Sequence, residues 1–225
     1  MERLQKTKEV ITTFNASGAL RAAKLDFVVV IVDVIDMSTS AEAAIEKGAI
    51  SVLGASPDIS KVPVYVNPYK IGLAAGSRAK GLGSKVIIIT EPRWGEEWER
   101  AKNCRKLISG IHDGGGEVGG IIPNIGAEVG KMLDFTDKVV VCVSDTGGVA
   151  FDAAWQVQKD ILTGTIARTM TTKGKETAFL AAKRAIDLAK GRNIAIVAAS
   201  ANSLEDVLGA GFIAQTIIEL GYLNG

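Results

Sequence analysis

The chain has 225 residues, 47% of them hydrophobic and 5% aromatic, which is enough to bury a large core and too apolar for intrinsic disorder. Its 26 Lys and Arg balance 25 Asp and Glu to a formal charge of +1, and without a basic block or stacking aromatics nucleic acid is not an expected partner. The two cysteines, Cys104 and Cys142, lack CxxC or Cys/His spacing, which excludes a zinc module or disulfide framework and suits a reducing compartment.

The opening stretch, Met1 to Glu9, is too charged for the apolar core of a secretory signal, and no later run approaches a membrane span. A cytoplasmic protein with no membrane partner is expected. Asn15-Ala16-Ser17 fits the glycosylation triplet, which matters only in a secreted protein. β-Branched runs then recur at Phe27 to Val32, Lys85 to Thr90, Lys138 to Val143 and Asn193 to Ala198, separated by helical segments. Strands apolar on both faces and alternating with helices predict a largely parallel sheet, covered on both sides in a three-layer α/β/α sandwich.

Local chemistry marks the helix ends. Thr39 and Glu42 have capping-box spacing and Lys47-Gly48 follows as a stop, while Asn67-Pro68 is a cap with proline at the first helical position. Lys173 to Lys190 reads as an amphipathic helix ended by Gly191, and Ser203 caps a last long helix. Glu96 and Arg100, beside Trp94 and Trp98, have i,i+4 spacing for an ion pair on a solvated helix face. Ile108 to Gly130 is glycine-rich and is expected to be irregular, an active-site loop or edge element within a single domain spanning 1–225. Gly114, Gly116 and Gly119 match the dinucleotide fingerprint in letters, but a helical segment and not a strand precedes them, so they read as turn glycines. His112 has no serine or cysteine in motif context and reads as a loop residue.

Two strand ends carry the candidate chemistry. Val28 to Val32 releases Asp33 and Asp36 into a loop containing Ser38, Thr39 and Ser40; Val139 to Val143 runs into Ser144-Asp145-Thr146-Gly147-Gly148. Ligands of open α/β sheets bind at the carboxyl ends of strands. In a parallel sheet Asp33, Asp36 and Asp145 share that edge, where one or two carboxylates plus substrate phosphate suit Mg²⁺. The hydroxyls and glycine amides are then expected to orient phosphoryl oxygens. Glu117 and Glu128 flank the glycine-rich segment as a further ligand or general base.

Three stretches resemble the 2-phosphosulfolactate phosphatase family. Val32-Asp33-Val34-Ile35-Asp36-Met37-Ser38-Thr39-Ser40 with Gly48-Ala49-Ile50-Ser51-Val52 is similar to the family's opening strand, hydroxyl loop, helix and Gly-Ala turn. Gly116-Glu117-Val118-Gly119-Gly120 and Gly126-Ala127-Glu128-Val129-Gly130 resemble its Gly-Glu loop and the glycine-acid segment after it, and Ser144 to Gly148 falls at its Thr-Thr-Asn-Gly-Thr turn. Leu162-Thr163-Gly164-Thr165, Ala198-Ala199-Ser200 and Ser203-Leu204-Glu205-Asp206-Val207-Leu208-Gly209-Ala210-Gly211 look like its carboxyl-terminal third.

The resemblance implies a Mg²⁺-dependent, homo-oligomeric hydrolase of a small anionic phosphomonoester, such as a phosphosulfolactate-type metabolite of coenzyme M biosynthesis. It implies Asp33, Glu117 and Asp145 as catalytic residues and Asp33, Asp145, Glu205 and Asp206 as metal ligands. Ser38, Thr39, Ser144, Thr146, Gly147 and Gly148 would bind substrate. The chain departs from the family at Asp36-Met37, where the family has Arg-Ala, and at Thr146, where it has Asn. A carboxylate in place of an arginine fork repels phosphate or sulfonate. That departure motivates two alternatives: a catalytically divergent relative that binds a small ligand, and an enzyme with a cationic or uncharged substrate.

Overall fold

The computed structural model describes residues 8–224, so the opening segment through residue 7 lies outside the described residues. Its strands form two parallel four-stranded sheets. The first has the order β1 (Val10–Phe14), β8 (Ile194–Ala198), β2 (Val28–Val32), β7 (Ile161–Gly164). The second has the order β3 (Ser51–Ala55), β6 (Val139–Val143), β4 (Val86–Thr90), β5 (Val118–Pro123). The chain lays down β1 and β2, crosses to the second sheet through α2 (Ser38–Glu46), completes all four of its strands, and returns through α6 (Gly147–Trp155) to add β7 and β8.

Both crossing helices, with α1 (Asn15–Lys24), fill the space between the sheets. There Ala19, Ala22, Ala41, Ala44, Ala150, Phe151 and Ala154 pack with Val29 and Ile31 of β2, Ile87 and Ile89 of β4, and Val140 and Cys142 of β6. A helix between two sheets has no solvent face, which explains why seven successive residues of α2, Ser38 to Ala44, are buried. Its one acidic residue there, Glu42, is matched by Thr163 Oγ1 at 3.0 Å and by both Arg184 amino groups at 2.7 and 2.6 Å. The outer face of the first sheet is covered by α7 (Lys175–Ala189) and α8 (Leu204–Glu219), that of the second by α3 (Pro68–Gly81) and α5 (Arg105–Asp113). Each parallel sheet is therefore the centre of an α/β/α sandwich, as expected, and the two sandwiches share their inner helical layer.

The caps divide between expectation and correction. Asn67 accepts from Lys70 N at 3.2 Å ahead of Pro68, and Ser203 accepts from Asp206 N at 3.2 Å. Lys190 and Gly191 end α7 in the left-handed region, with φ of 49° and 89°. Thr39 and Glu42 form no capping box, because α2 starts at Ser38, two residues earlier than a Thr39 cap requires, and both side chains are drawn to β7 and its end: Thr39 Oγ1 meets Thr165 Oγ1 at 2.9 Å, and Glu42 is bound as above. Arg100, in the short helix α4 (Glu97–Lys102), does not pair with Glu96; it is buried and donates to the carbonyls of Gly95, Pro92 and Ile121. Trp94 and Trp98 are exposed.

Ile108 to Gly130 is not irregular: it holds the end of α5, the edge strand β5 and a 3-10 turn over Gly126–Lys131. Gly110, Gly114 and Gly116 in it serve helix packing. A Cβ on Gly110 would lie 2.1 Å from Tyr69 O, and one on Gly72 or Gly76 would lie 2.1 Å from Leu107 O or Ile111 O, so α3 and α5 meet backbone to backbone. His112 sits in the last turn of α5 and is exposed.

Candidate functional site

The carboxyl edges of the two sheets face the same side, and one side chain joins them. Asp33 follows β2, and its Oδ2 accepts from Ser144 Oγ (3.2 Å), Thr146 Oγ1 (2.9 Å) and Gly147 N (2.7 Å), all following β6. Gly147 opens α6, so the positive end of that helix points at the carboxylate. A Cβ there would lie 2.3 Å from Oδ2, which explains the glycine. Oδ1 receives only a 3.4 Å contact from Asp36 N.

Asp206, in the first turn of α8, comes to the same place. Its Oδ1 accepts from Val34 N at 2.8 Å and its Oδ2 from Ser200 N at 3.2 Å. Both carboxyls are buried, and among the described residues neither is salt-bridged to Lys or Arg. Burial pushes Asp33 up to about 6, the charges of Asp206 and Asp36 add to the rise, and the bonds from Thr146 and Gly147 oppose it. Burial likewise raises Asp206, against its backbone hydrogen bonds.

Asp36 is half-buried and paired with Arg93 at 2.9 Å; Arg93 also meets Glu91 at 3.2 Å. The guanidinium thus arrives from the end of β4, beside the loop whose own arginine the resemblance leads one to expect. Asn124, buried at the end of β5, donates from Nδ2 to Asp36 O and accepts from Ser40 Oγ at 2.5 Å, fixing the loop. Reading the residues around Arg93 as a solvated charge run hides it; its place three residues beyond a buried strand is the signal that finds it. Asn124, just past an edge strand with no apolar run, leaves no such signal.

The remaining expected site residues divide. Glu117 precedes β5 and pairs with Lys85, before β4, at 3.2 Å. It lies at the amino edge of the second sheet, a strand length of about 16 Å from the Asp33 side, and does not join the cluster. Asp145 is exposed and accepts from Ser60 Oγ at 3.3 Å; Glu205 is exposed and accepts from Ser203 Oγ at 3.0 Å. The expected phosphoryl donors are turned inward. Ser38 Oγ donates to Ile31 O and Thr39 Oγ1 to Val34 O, Ser144, Thr146 and Gly147 hold Asp33, and Gly148 N donates to Ser144 Oγ. Glu128 pairs with Lys131 and Arg168. Cys104 and Cys142 are buried free thiols pushed up to about 12, which removes them as nucleophiles at neutral pH.

Thr146 and Ser200, each bound to one of the buried carboxyls, also line an open cavity of about 320 Å³ at this edge. The fold and site together define an α/β protein of two parallel sheets with an acidic pair at the carboxyl edge of its strands. The chain matches no known family model, no curated protein and no solved structure. No helix of the described residues is long and apolar enough to cross a membrane.

Proposed function

We propose that this chain is a Mg²⁺-dependent hydrolase of small phosphomonoesters, related to the 2-phosphosulfolactate phosphatases that its sequence resembles. The observation carrying the proposal is the meeting of Asp33 and Asp206, two buried carboxyls without a basic partner among the described residues, beside an open cavity at the strand ends.

The donor set fits the ion. Like charges buried side by side are relieved by a cation, and Asp33 Oδ1 keeps lone pairs that its one long contact does not use. Among the described residues no three His, Cys, Asp or Glu are grouped as a metal cage. Mg²⁺ does not need one, since it takes one or two carboxylates, several waters and substrate phosphate. Asp33 and Asp206 would hold it, and when bound it would offset charge on the phosphoryl oxygens.

The chain's own residues do the positioning. Ser144, Thr146 and Gly147 fix the Asp33 carboxyl from the opposite sheet, and the backbone N–H groups of Val34 and Ser200 fix Asp206. Arg93, its side chain 41% exposed, offers an anion a fork at the same edge when it leaves Asp36.

A second reading, a relative that binds a small ligand without turning it over, is favoured by the inward direction of the expected phosphoryl donors. Phosphate release from a panel of small phosphomonoesters with Mg²⁺ separates the two. Turnover abolished by Asp33→Asn and by Asp206→Asn supports the hydrolase. Ligand-induced thermal stabilisation without turnover supports the binding relative.

A further inference from the structure

Strand β1 borders the first sheet, and among the described residues no strand pairs with its outer edge. Glu9 N donates to Asn193 Oδ1 at 3.0 Å and Glu9 O accepts from Ile194 N at 2.9 Å, so Glu9, Ile11 and Thr13 turn their backbone groups toward β8. Val10 and Thr12 therefore present N–H and C=O to the open edge, and Phe14 presents its N–H, its carbonyl being taken by the first turn of α1. A groove of about 390 Å³ lies along this edge against α1, lined by Ile11, Thr13, Arg21 and Leu25 among others. Other edges carry devices that stop a sheet from growing. On β7, Arg184 Nη2 donates to Thr163 O at 3.0 Å; β5 contains Gly119-Gly120, ends in Pro123 and shifts register against β4. Val10-Ile11-Thr12-Thr13-Phe14 has no charge, proline, glycine or bulge, and such an edge is a template for a further strand.

The strand that fits this edge is its own copy. Run antiparallel about a two-fold axis at Thr12, the whole of β1 overlaps: Thr12 exchanges both backbone bonds with Thr12 of the second copy, and on either side of the axis Phe14 N donates to Val10 O. Val10, Thr12 and Phe14 share the α8 face of the strand, so the same register opposes threonine to threonine and valine to phenylalanine, both stabilising cross-strand pairs. The charges agree with the backbone. Glu9 of one copy stands opposite Asn15 of the other, the first residue of a helix with no side-chain cap and no acid in its first turn. Glu9 lies on the α1 side of the strand with Ile11, is exposed, and its carboxylate meets only Asn193 Nδ2, at 3.4 Å, among the described residues. Each copy thus brings a carboxylate to the positive helix end that the other leaves without one. Lys8 is turned away, onto the Tyr222 ring at 5.0 Å.

We propose that two copies of this chain associate edge to edge through antiparallel β1 strands, joining their first sheets into one continuous sheet with Thr12 on the two-fold axis and Glu9 against the start of α1 of the other copy. The interface stands independently of the hydrolase reading.

Sedimentation of the full chain over a concentration series is expected to show a dimer, with twice the mass of the chain. Thr12 is exposed, so the separate chain tolerates a charge there, whereas in the pair two like charges meet on the axis. Thr12→Lys and Thr12→Glu are each expected to sediment as monomers, and an equimolar mixture of the two to restore a dimer holding one of each. Damage to the fold does not produce restoration by mixing. Glu9→Lys, which reverses the charge facing α1, should weaken dimerisation about tenfold. A monomeric unaltered chain overturns the proposal, as does a dimer that survives both substitutions at Thr12, a mixture of the folded variants that stays monomeric, or an unchanged dissociation constant for Glu9→Lys. Should a Thr12 variant fail to fold, Glu9→Lys decides, because Glu9 is exposed and precedes the strand.

Discussion

Asp33 balances opposed effects at a single carboxyl. Three donors on Oδ2 favour its charged form, while burial and the nearby Asp206 and Asp36 favour the protonated form and win, leaving it at about 6 against an ordinary 3.8. Between those two values the unfolded chain releases a proton that the folded chain keeps. Folding stability from this group therefore falls as pH rises through that window and is level above it, by about 3 kcal/mol at most. Urea unfolding from pH 4 to pH 7, without added metal, should show the unaltered protein losing stability relative to Asp33→Asn; a difference that stays constant with pH contradicts this account. Under the proposed reading Mg²⁺ would supply the missing counter-charge; it should then raise Tm above pH 6, less so at pH 5 where the proton competes, and not at all in Asp206→Asn. Gly147→Ala, which places a methyl 2.3 Å from Oδ2, should cost about 1–3 kcal/mol and lose the Mg²⁺ response as well. The acids at the two strand ends were legible because a buried strand that ends in carboxylates marks a sheet edge. The direction of the hydroxyls was not. Whether Thr146 faces a ligand or Asp33 depends on the opposing sheet, and nothing local to residues 144–148 records that sheet.

Among the elements, the four apolar runs of the sequence are the four central strands, β8 and β2 in one sheet and β6 and β4 in the other. Each is buried along its whole length, which writes a continuous run rich in β-branched residues. The four strands without such a signal, β1, β7, β3 and β5, are the four edges. An edge strand is covered incompletely and tolerates Thr13, Ser51 or the Gly119-Gly120 pair. The same physics hid β5 inside a segment that read as glycine-rich loop. Its neighbouring glycines answer to the α3–α5 contact, which makes a second test. Gly76→Ala gains about 1 kcal/mol of helix propensity, but its methyl meets a backbone carbonyl at 2.1 Å, and backbone cannot yield without parting the helices. A net loss of about 2 kcal/mol is expected in urea unfolding. Gly81→Ala, at the end of the same helix with nothing within 4 Å, is the control and should be neutral or stabilising. Equal effects at the two positions would remove the packing argument.

At the scale of the molecule, the second sheet is an insertion between β2 and β7 of the first, and this makes the two sheets depend on each other. Helices α2 and α6 are at once the only connections between the sheets among the described residues and two of the three helices in the core between them. Neither sheet can keep its inner face covered if that layer is lost, so the chain should unfold in one transition despite its two sheets. Phe151 tests this. It is fully buried in α6 and packs against Gly54 of β3 so closely that a Cβ on that glycine would lie 2.6 Å away. Phe151→Ala should cost about 3–5 kcal/mol, the range for opening a cavity under an aromatic ring. Hydrogen exchange locates the loss: amides of β8 and of β4, on different sheets, should both lose protection, and by similar amounts. If β4 alone is released while β8 keeps its protection, the sheets are separate folding units and the shared layer is only a contact between them. Equal loss would also place Asp33 structurally, because the carboxyl that reaches from β2 to Gly147 would then fasten the beginning of the helix on which both sheets rest.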